Sequence, residues 1–190
     1  MSREEISEKM GIQPLKINAN KVSPMSRNRY YWTNLPINSP LLSQETKLQK
    51  FLSQGREAPY DSTRCITTTN TNSSKSIKAF NKKLDEPEVL LTILNDEKSK
   101  VKMLREFMLV LEQGKGPSQL KCTELERIMG FPTNHTSGFK ISETQRRKLL
   151  GNSFAVRVIE YLFSSLATPE NLLSQSKEDI GILKYFIRVN

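Results

Sequence analysis

The chain contains 190 residues, of which 36% are apolar and 26% charged, and it carries a formal net charge of +9 with an isoelectric point of about 9.6. This charge favours a polyanion partner, either nucleic acid or an anionic membrane surface, although a basic globular protein without such a partner has the same composition. The sequence excludes an apolar membrane-spanning run and a zinc-finger framework, since it holds only two cysteines and one histidine.

The charged opening MSREEISEKM predicts a surface helix rather than a signal peptide, because it has no apolar centre. Ser2 and Glu5 match a capping box, and Gly11 suits the end of that helix. The next stretch, IQPLKINAN, alternates so that Leu15 and Ile17 would share one face of a strand.

A second strand is predicted in RNRYYWTNL, which is rich in aromatic residues. Alternation along this strand would place Arg27 and Arg29 on the same face, with their side chains about 7 Å apart. Each guanidinium is a rigid fork of donors. The pair therefore suits a planar polar or anionic partner.

Residues 37–83 are unusually polar. The segment STRCITTTNTNSSKSIK is rich in Thr, Ser and Asn, whose side chains compete with the backbone for hydrogen bonds, so we expect mostly loop with a short strand at RCITTT. Arg64, Lys75 and Lys78 make the segment basic. Either a phosphate-contacting surface or an ordinary exposed linker fits this composition.

Residues 84–113 are predicted to form an αα-hairpin whose role is packing. Pro87 suits the first helical position after a cap at Asp85. Apolar residues then recur at steps of three and four, namely Val101, Leu104, Met108 and Leu111.

The region from 120 to 166 carries the clearest helix signals. Two further capping boxes are predicted, Thr123 with Glu126 and Ser142 with Gln145. An amphipathic helix is predicted in GNSFAVRVIEYLFSSL, with Asn152 and Ser153 where it begins. Backbone N–H groups at such a start can bind a carboxylate or phosphate, although helix capping without a ligand is the simpler explanation.

Taken together, four stretches resemble one family, the DNA cytosine-5 methyltransferases, and within it the animal de novo type. GIQPLKINANKVSPMSRNRYYWTNLP resembles the strand that leads to the family's Q-x-R-x-R motif, with Ser26 where glutamine or histidine is usual. RCITTTNTNSSKSIK resembles the target-recognition loop, KCTELERIMGFP the helix and turn after it, and QRRKLLGNSFAVRVIEYLF the last motif. The order and approximate spacing also match.

The resemblance implies an α/β fold, the C-terminal portion of a Rossmann-like S-adenosylmethionine-dependent methyltransferase fold. In it the end of a mostly parallel sheet joins an irregular target-recognition region and C-terminal helices. The implied segments are the end of the catalytic sheet with the arginine-pair strand at 1–36, the target-recognition region at 37–120 with a helical insertion near 84–104, the helices that close the cofactor site at 121–166, and a tail at 167–190.

The resemblance also implies roles for individual residues. Arg27 and Arg29 match the motif arginines of a flipped-cytosine pocket, where Arg29 would donate to the base carbonyl and Arg27 would hold the pocket or a phosphate. Alternatively, Arg27 only pairs with an acidic neighbour. The expected DNA contacts are Arg64, Thr67, Thr68, Asn70, Lys75 and Lys78. The expected S-adenosylmethionine contacts are Asn152, Ser153 and Phe154.

Two parts of the family's chemistry do not occur in these residues, the Pro-Cys nucleophile and the Gly-rich cofactor loop. We therefore expect the C-terminal part of an enzyme that transfers a methyl group to C5 of cytosine when complete, and no activity from this chain alone. The alternatives are a catalytically inactive relative that binds DNA or docks to a methyltransferase, and a gene fragment. From the resemblance we expect DNA as partner, a second methyltransferase subunit as a further candidate, no membrane or metal, and a nuclear location.

Overall fold

A computed structural model of the chain describes residues 2–37, 41, 43–44, 46–68 and 73–167. The helices are α1 Arg3–Met10, α2 Ser73–Leu84, α3 Pro87–Asn95, α4 Glu97–Glu106, α5 Cys122–Met129, α6 Glu143–Asn152 and α7 Val156–Phe163. The strands are β1 Leu15–Asn18, β2 Asn28–Tyr31, β3 Arg56–Glu57, β4 Leu109–Glu112 and β5 Gly116–Gln119. Nearly all of the predicted tail lies outside the described residues.

Two small antiparallel sheets form the β part of this α/β architecture. Strands β1 and β2 pair with Ile17 opposite Arg29, and the second sheet has the order β3-β4-β5. A parallel bridge between Met25 and Thr63 ties the approach to β2 to the segment that precedes the predicted recognition loop. The arginine-bearing strand and that loop are therefore held side by side.

Helix α1 covers the face of β2 opposite to the arginines. Its predicted capping box is confirmed, since Ser2 and Glu5 exchange both bonds, and Gly11 ends the helix in the left-handed region at φ 66°. The Trp32 indole donates to Ser7 Oγ at 3.1 Å, and the Arg3 guanidinium lies 5.4 Å from the Tyr30 ring centre. One face of the strand is thus used for packing.

A single hydrophobic core connects the second sheet to helices α4 to α7. Its fully buried large side chains include Met25, Leu48, Ile66, Leu104, Leu109, Leu120, Leu125, Ile128 and Leu150. The buried Arg56 guanidinium pairs with Glu112 at 2.9 Å and with Glu124 at 3.2 Å, which joins β3 and β4 to α5. In the part of the chain that the structure describes, no helix is long and apolar enough to cross a bilayer.

Helix α5 begins earlier than predicted, so the predicted cap at Thr123 is wrong. Lys121 precedes the first turn, and its backbone N–H donates to Glu124 at 2.8 Å. Glu126, the predicted capping partner, is fully buried and accepts from the backbone N–H groups of Asn134 and Thr136. The Glu126 carboxylate, which the sequence pattern assigns to a local cap, therefore fixes the loop that follows the helix.

The prediction that the segment 62–78 is mostly loop is wrong for its last part, because α2 starts at Ser73. Ile77, Phe80 and Leu84 recur on one face of this helix, and Phe80 packs edge-on against Phe107 with ring centres 5.8 Å apart. The short strand predicted at RCITTT is also absent from the described residues 64–68.

The predicted αα-hairpin is confirmed for α3 and α4 but ends before residue 113. Pro87 occupies the first turn of α3, as predicted, although the cap is Glu86 rather than Asp85. Met108 takes a positive φ of 54°, which stops the helix, and Leu111 lies in β4. Short apolar runs fit helix and strand equally well, and here pairing with β5 decides the outcome.

Candidate functional site

Arg27 is the centre of the candidate site, because its buried guanidinium joins three parts of the chain. It donates to the Ile66 carbonyl at 2.9 Å and to the Ser153 carbonyl at 2.6 Å. Its Nη1 also lies 3.5 Å from Cys65 Sγ. Within the described residues Arg27 forms no ion pair, so backbone carbonyls, rather than the acidic neighbour considered above, satisfy it.

Arg29 stands beside Arg27 but is exposed. Its Nη1 donates to the Asn28 carbonyl at 2.8 Å, and its Nη2 lies 3.7 Å from Cys65 Sγ. Because both arginines approach the same sulfur atom, they lie on one side of β2, and the predicted shared face is confirmed. Burial raises the pKa of the Tyr31 hydroxyl, and the positive charges of both arginines oppose this shift, which places Tyr31 near the pair.

Gly151 allows the recognition segment to lie against the end of α6. A Cβ atom at this position would lie 2.5 Å from the Thr68 nitrogen and 2.6 Å from the Thr67 carbonyl carbon. Such distances are far inside van der Waals contact, so only glycine fits without moving the backbone. Sequence reasoning missed this residue, although a glycine inside a helical pattern is a recognised signal of close approach.

The predicted cofactor residues lie at the end of α6 and in the turn that follows it, not at the start of a helix, which corrects the sequence interpretation. Helix α6 ends at Asn152, and the Ser153 N–H donates to the Leu150 carbonyl at 3.1 Å. The Ser153 hydroxyl donates to the same carbonyl at 2.9 Å. Helix α7 begins only at Val156. The Ser153 N–H is therefore already used by the chain.

Asn152 and Phe154 remain exposed at this turn. The Phe154 ring is 46% exposed and packs at a tilt against Phe131, with ring centres 5.9 Å apart. Phe131 in turn stacks on His135 at 4.8 Å. The turn thus presents an amide and a supported aromatic face, groups that suit a heteroaromatic ligand.

The residues predicted to contact DNA fall into two places. Thr67 and Thr68 lie at the Gly151 contact, next to the arginine pair. Arg64 points away from them, since its guanidinium donates to the Glu106 carbonyl at the end of α4 at 3.2 Å. Lys78 is exposed on α2, whereas Asn70 and the side chain of Lys75 lie outside the described residues.

Sequence reasoning also missed Arg105, which anchors the segment before the recognition loop. Its Nε donates to the Ser62 carbonyl at 2.9 Å, and its Nη2 donates to Ser62 Oγ at 3.1 Å. No local motif marks this arginine. Among the described residues, no group of three or more His, Cys, Asp or Glu side chains could hold a metal ion.

Comparison with known proteins identifies a family for this chain. The model of the family described as C-5 cytosine-specific DNA methylase matches residues 4–168. The chain belongs to this methylase family. DNA (cytosine-5)-methyltransferase DRM2 of Oryza sativa subsp. japonica is 30% identical over 168 residues, which cover 82% of this chain and 27% of that protein. DRM2 of Arabidopsis thaliana is 51% identical over 47 residues, which cover 25% of this chain and 8% of that protein.

This chain therefore spans about a quarter or less of the length of these relatives. They are plant enzymes, and the animal de novo subtype predicted from the sequence gains no support from them. Among solved structures, the Entamoeba histolytica methyltransferase EhMeth is similar with a TM-score of 0.51 at 16% identity, over 87% of this chain and 58% of that one. The predicted fold class, part of an α/β methyltransferase fold, is confirmed.

Proposed function

We propose that this chain is the target-recognition and cofactor-closing part of a DNA cytosine-5 methyltransferase. In the complete enzyme a methyl group passes from S-adenosylmethionine to C5 of a cytosine in DNA. The observation that carries this proposal is the Arg27 guanidinium, which bonds the recognition segment and the α6–α7 turn at once. Family membership supports the reaction, because the match spans most of the chain.

In this proposal Arg29 is the residue that contacts the target base. Its guanidinium is exposed and carries N–H donors beyond those that face the Asn28 carbonyl and Cys65. A flipped cytosine would offer its carbonyl oxygen to these donors. Such a bond stabilises the negative charge that develops on the ring during attack at C6.

Arg27 is a positioning residue, since its guanidinium is already occupied by the protein. It holds the floor of the pocket by fixing the Ile66 and Ser153 carbonyls. A guanidinium can span two such acceptors because its donors are arranged in a planar fork. The base would therefore meet a rigid wall rather than two independent loops.

S-adenosylmethionine fits the α6–α7 turn in part. The exposed Asn152 amide and Phe154 ring would hold the cofactor, whereas the Ser153 hydroxyl and N–H are used internally. When bound, the cofactor supplies the methyl group from its sulfonium centre. DNA would be contacted by Arg64, Thr67, Thr68 and Lys78. Because the proposed substrate is DNA, we also propose a nuclear location.

We also propose that the purified chain does not transfer a methyl group by itself. Neither cysteine follows a proline, since Cys65 comes after Arg64 and Cys122 after Lys121. The thiolate that adds to the ring must then come from other residues. Incorporation of a labelled methyl group into cytosine-containing duplex by this chain alone would disprove this part.

The base pocket itself is tested by binding. A duplex with its target cytosine opposite an abasic site costs less to open, so the chain should bind it several-fold more tightly than the fully paired duplex. Arg29→Ala should abolish that preference. Arg157→Ala is the matched control, because Arg157 is also exposed but lies on α7 in a pair with Glu160. Equal affinity of the wild-type chain for both duplexes, or an unchanged preference in Arg29→Ala, would contradict the proposal.

A further inference from the structure

An open groove of about 490 Å³ lies between α4 and the segment before the recognition loop. Helix α4 supplies Lys98, Lys102 and Arg105 to its wall, and the facing segment supplies Tyr60 and Ser62. The three cations are spaced by four and three residues, which places them on one face of the helix. Most of the α4 wall belongs to the helical insertion predicted near 84–104, for which the proposed methyltransferase function gives no role.

The two lysines of the groove have no partner within the described residues. Both are exposed, and neither ammonium group forms an ion pair or hydrogen bond there. Neighbouring lysines are matched, since Lys100 pairs with Glu97 at 3.2 Å and Lys83 with Glu106 at 3.7 Å. The groove therefore holds two ammonium groups that no carboxylate among the described residues neutralises.

Tyr60 lines the groove with a buried side chain. Its side chain is only 8% exposed, and its hydroxyl oxygen is buried without any hydrogen-bond partner among the described residues. Burial raises the pKa of this hydroxyl, so it remains a donor at every physiological pH. The hydroxyl oxygen is shielded from solvent, so Tyr60 supports the wall of the groove and is not one of the groups that a ligand in the open groove would meet.

The groove is continuous with the predicted recognition surface. Arg105 bonds Ser62, and Arg64 bonds the last carbonyl of α4, so the two arginines fasten the helix to the loop entry. Lys78 and Lys82, exposed on α2, extend the basic surface beyond that loop. Asp61 and Glu97 also line the groove, but Glu97 is occupied by Lys100.

We propose that this groove binds the sugar-phosphate backbone of duplex DNA away from the target base. Lys98 and Lys102 each neutralise a phosphate, and Arg105 donates through the guanidinium nitrogen that Ser62 leaves unused. The contact reads no sequence, because phosphates are the same at every base pair. This inference rests on the proposed function only for the identity of the polyanion, and its test is independent of the base pocket.

The test is a fluorescence-anisotropy titration of the full chain with labelled duplexes over a series of salt concentrations. Each phosphate neutralised contributes about 0.9 to the slope of log affinity against log salt. The double variant Lys98→Gln/Lys102→Gln should lower this slope by nearly two and weaken binding about tenfold or more at low salt, equally for unrelated sequences. Lys9→Gln/Lys50→Gln removes the same charge from exposed sites outside the groove and should change the slope little.

Each result decides one claim. If the groove variant has the same salt slope as its control, the inference is overturned. In that case the base pocket is still supported if Arg29→Ala no longer prefers the duplex with the cytosine opposite an abasic site. A lowered slope without any such preference supports the groove and removes the pocket. Loss of binding to phosphatidylserine vesicles in the groove variant, with duplex binding unchanged, would overturn the inference in favour of a membrane surface.

Discussion

Replacing Gly151 by alanine tests whether the recognition segment is packed as tightly as the structure shows. The new methyl carbon would lie 2.5 Å from the Thr68 nitrogen and 2.9 Å from its Cα. These obstacles are backbone atoms of a segment that Arg27 holds through the Ile66 carbonyl. They cannot swing aside as a flexible side chain would, so either the segment or the end of α6 must shift.

The magnitude follows from two opposing effects. Alanine in a helix is favoured over glycine by about 1 kcal/mol, which by itself would stabilise α6. Overpacking a close contact costs about 1–3 kcal/mol, and a backbone obstacle favours the upper part of that range. We expect a net loss of about 1–2 kcal/mol, which lowers the melting temperature of a chain of this size by roughly 2–8 °C.

Urea unfolding followed by circular dichroism measures this loss. Gly138→Ala is the matched control, because its new methyl carbon would lie 2.9 Å from the terminal carbon of the flexible Ile141 side chain. That side chain can rotate away, so the control should stay within about 0.5 kcal/mol of the wild-type chain. A Gly151→Ala chain as stable as the control would refute the close contact, and with it the position of the recognition segment.

Three further outcomes follow from the contacts described above. Arg27→Lys should lower the free energy of unfolding by about 2–4 kcal/mol, because an ammonium group cannot span both carbonyls in a buried site. Arg29→Lys, at the exposed position, should lower it by less than about 0.5 kcal/mol. Chemical denaturation of both variants measures the difference. Burial by itself would raise the pKa of the Glu126 carboxyl, but hydrogen bonds from Thr136 and Arg146 hold that pKa below its ordinary value. Its contribution is therefore present above about pH 5 and lost as pH falls through the native pKa, so Glu126→Gln should be less stable at pH 7 and less sensitive to acid in pH-dependent unfolding. Burial raises the pKa of the Cys122 thiol, so N-ethylmaleimide at pH 8 should label the half-buried Cys65 first by mass spectrometry, and equal rates would contradict the packing of α5.

Local rules found those elements whose causes lie within a few residues. The capping boxes at Ser2 and Ser142 follow from side chains that bond their own helix starts, and the stop at Gly11 follows from the left-handed backbone that glycine adopts easily. The shared face of Arg27 and Arg29 follows from strand alternation alone. These features are visible in the sequence because no distant contact is needed to specify them.

Features that depend on contacts between distant parts of the chain could not be predicted from local sequence patterns. The polar residues that open α2 suggested loop, yet Phe80 is buried against Phe107 from beyond the insertion, and this packing outweighs weak helix propensity. Strand β4 exists because β5 pairs with it, although its apolar run also continues the helical pattern of α4. In both cases the competing local signal was real, and tertiary contacts decided between the alternatives.

The arginine pair shows the same division within one motif. Alternation treats Arg27 and Arg29 as equivalent, but a carbonyl 39 residues away and another 126 residues away bury the first and leave the second exposed. A buried guanidinium with satisfied donors can fix a wall, whereas an exposed one can meet a ligand, so the two roles follow from contacts that the motif does not contain. The close approach of Thr67 and Thr68 to Gly151 holds the recognition segment against the end of α6, next to the turn whose Ser153 carbonyl binds Arg27, so packing outside the motif also contributes to the difference between the two arginines.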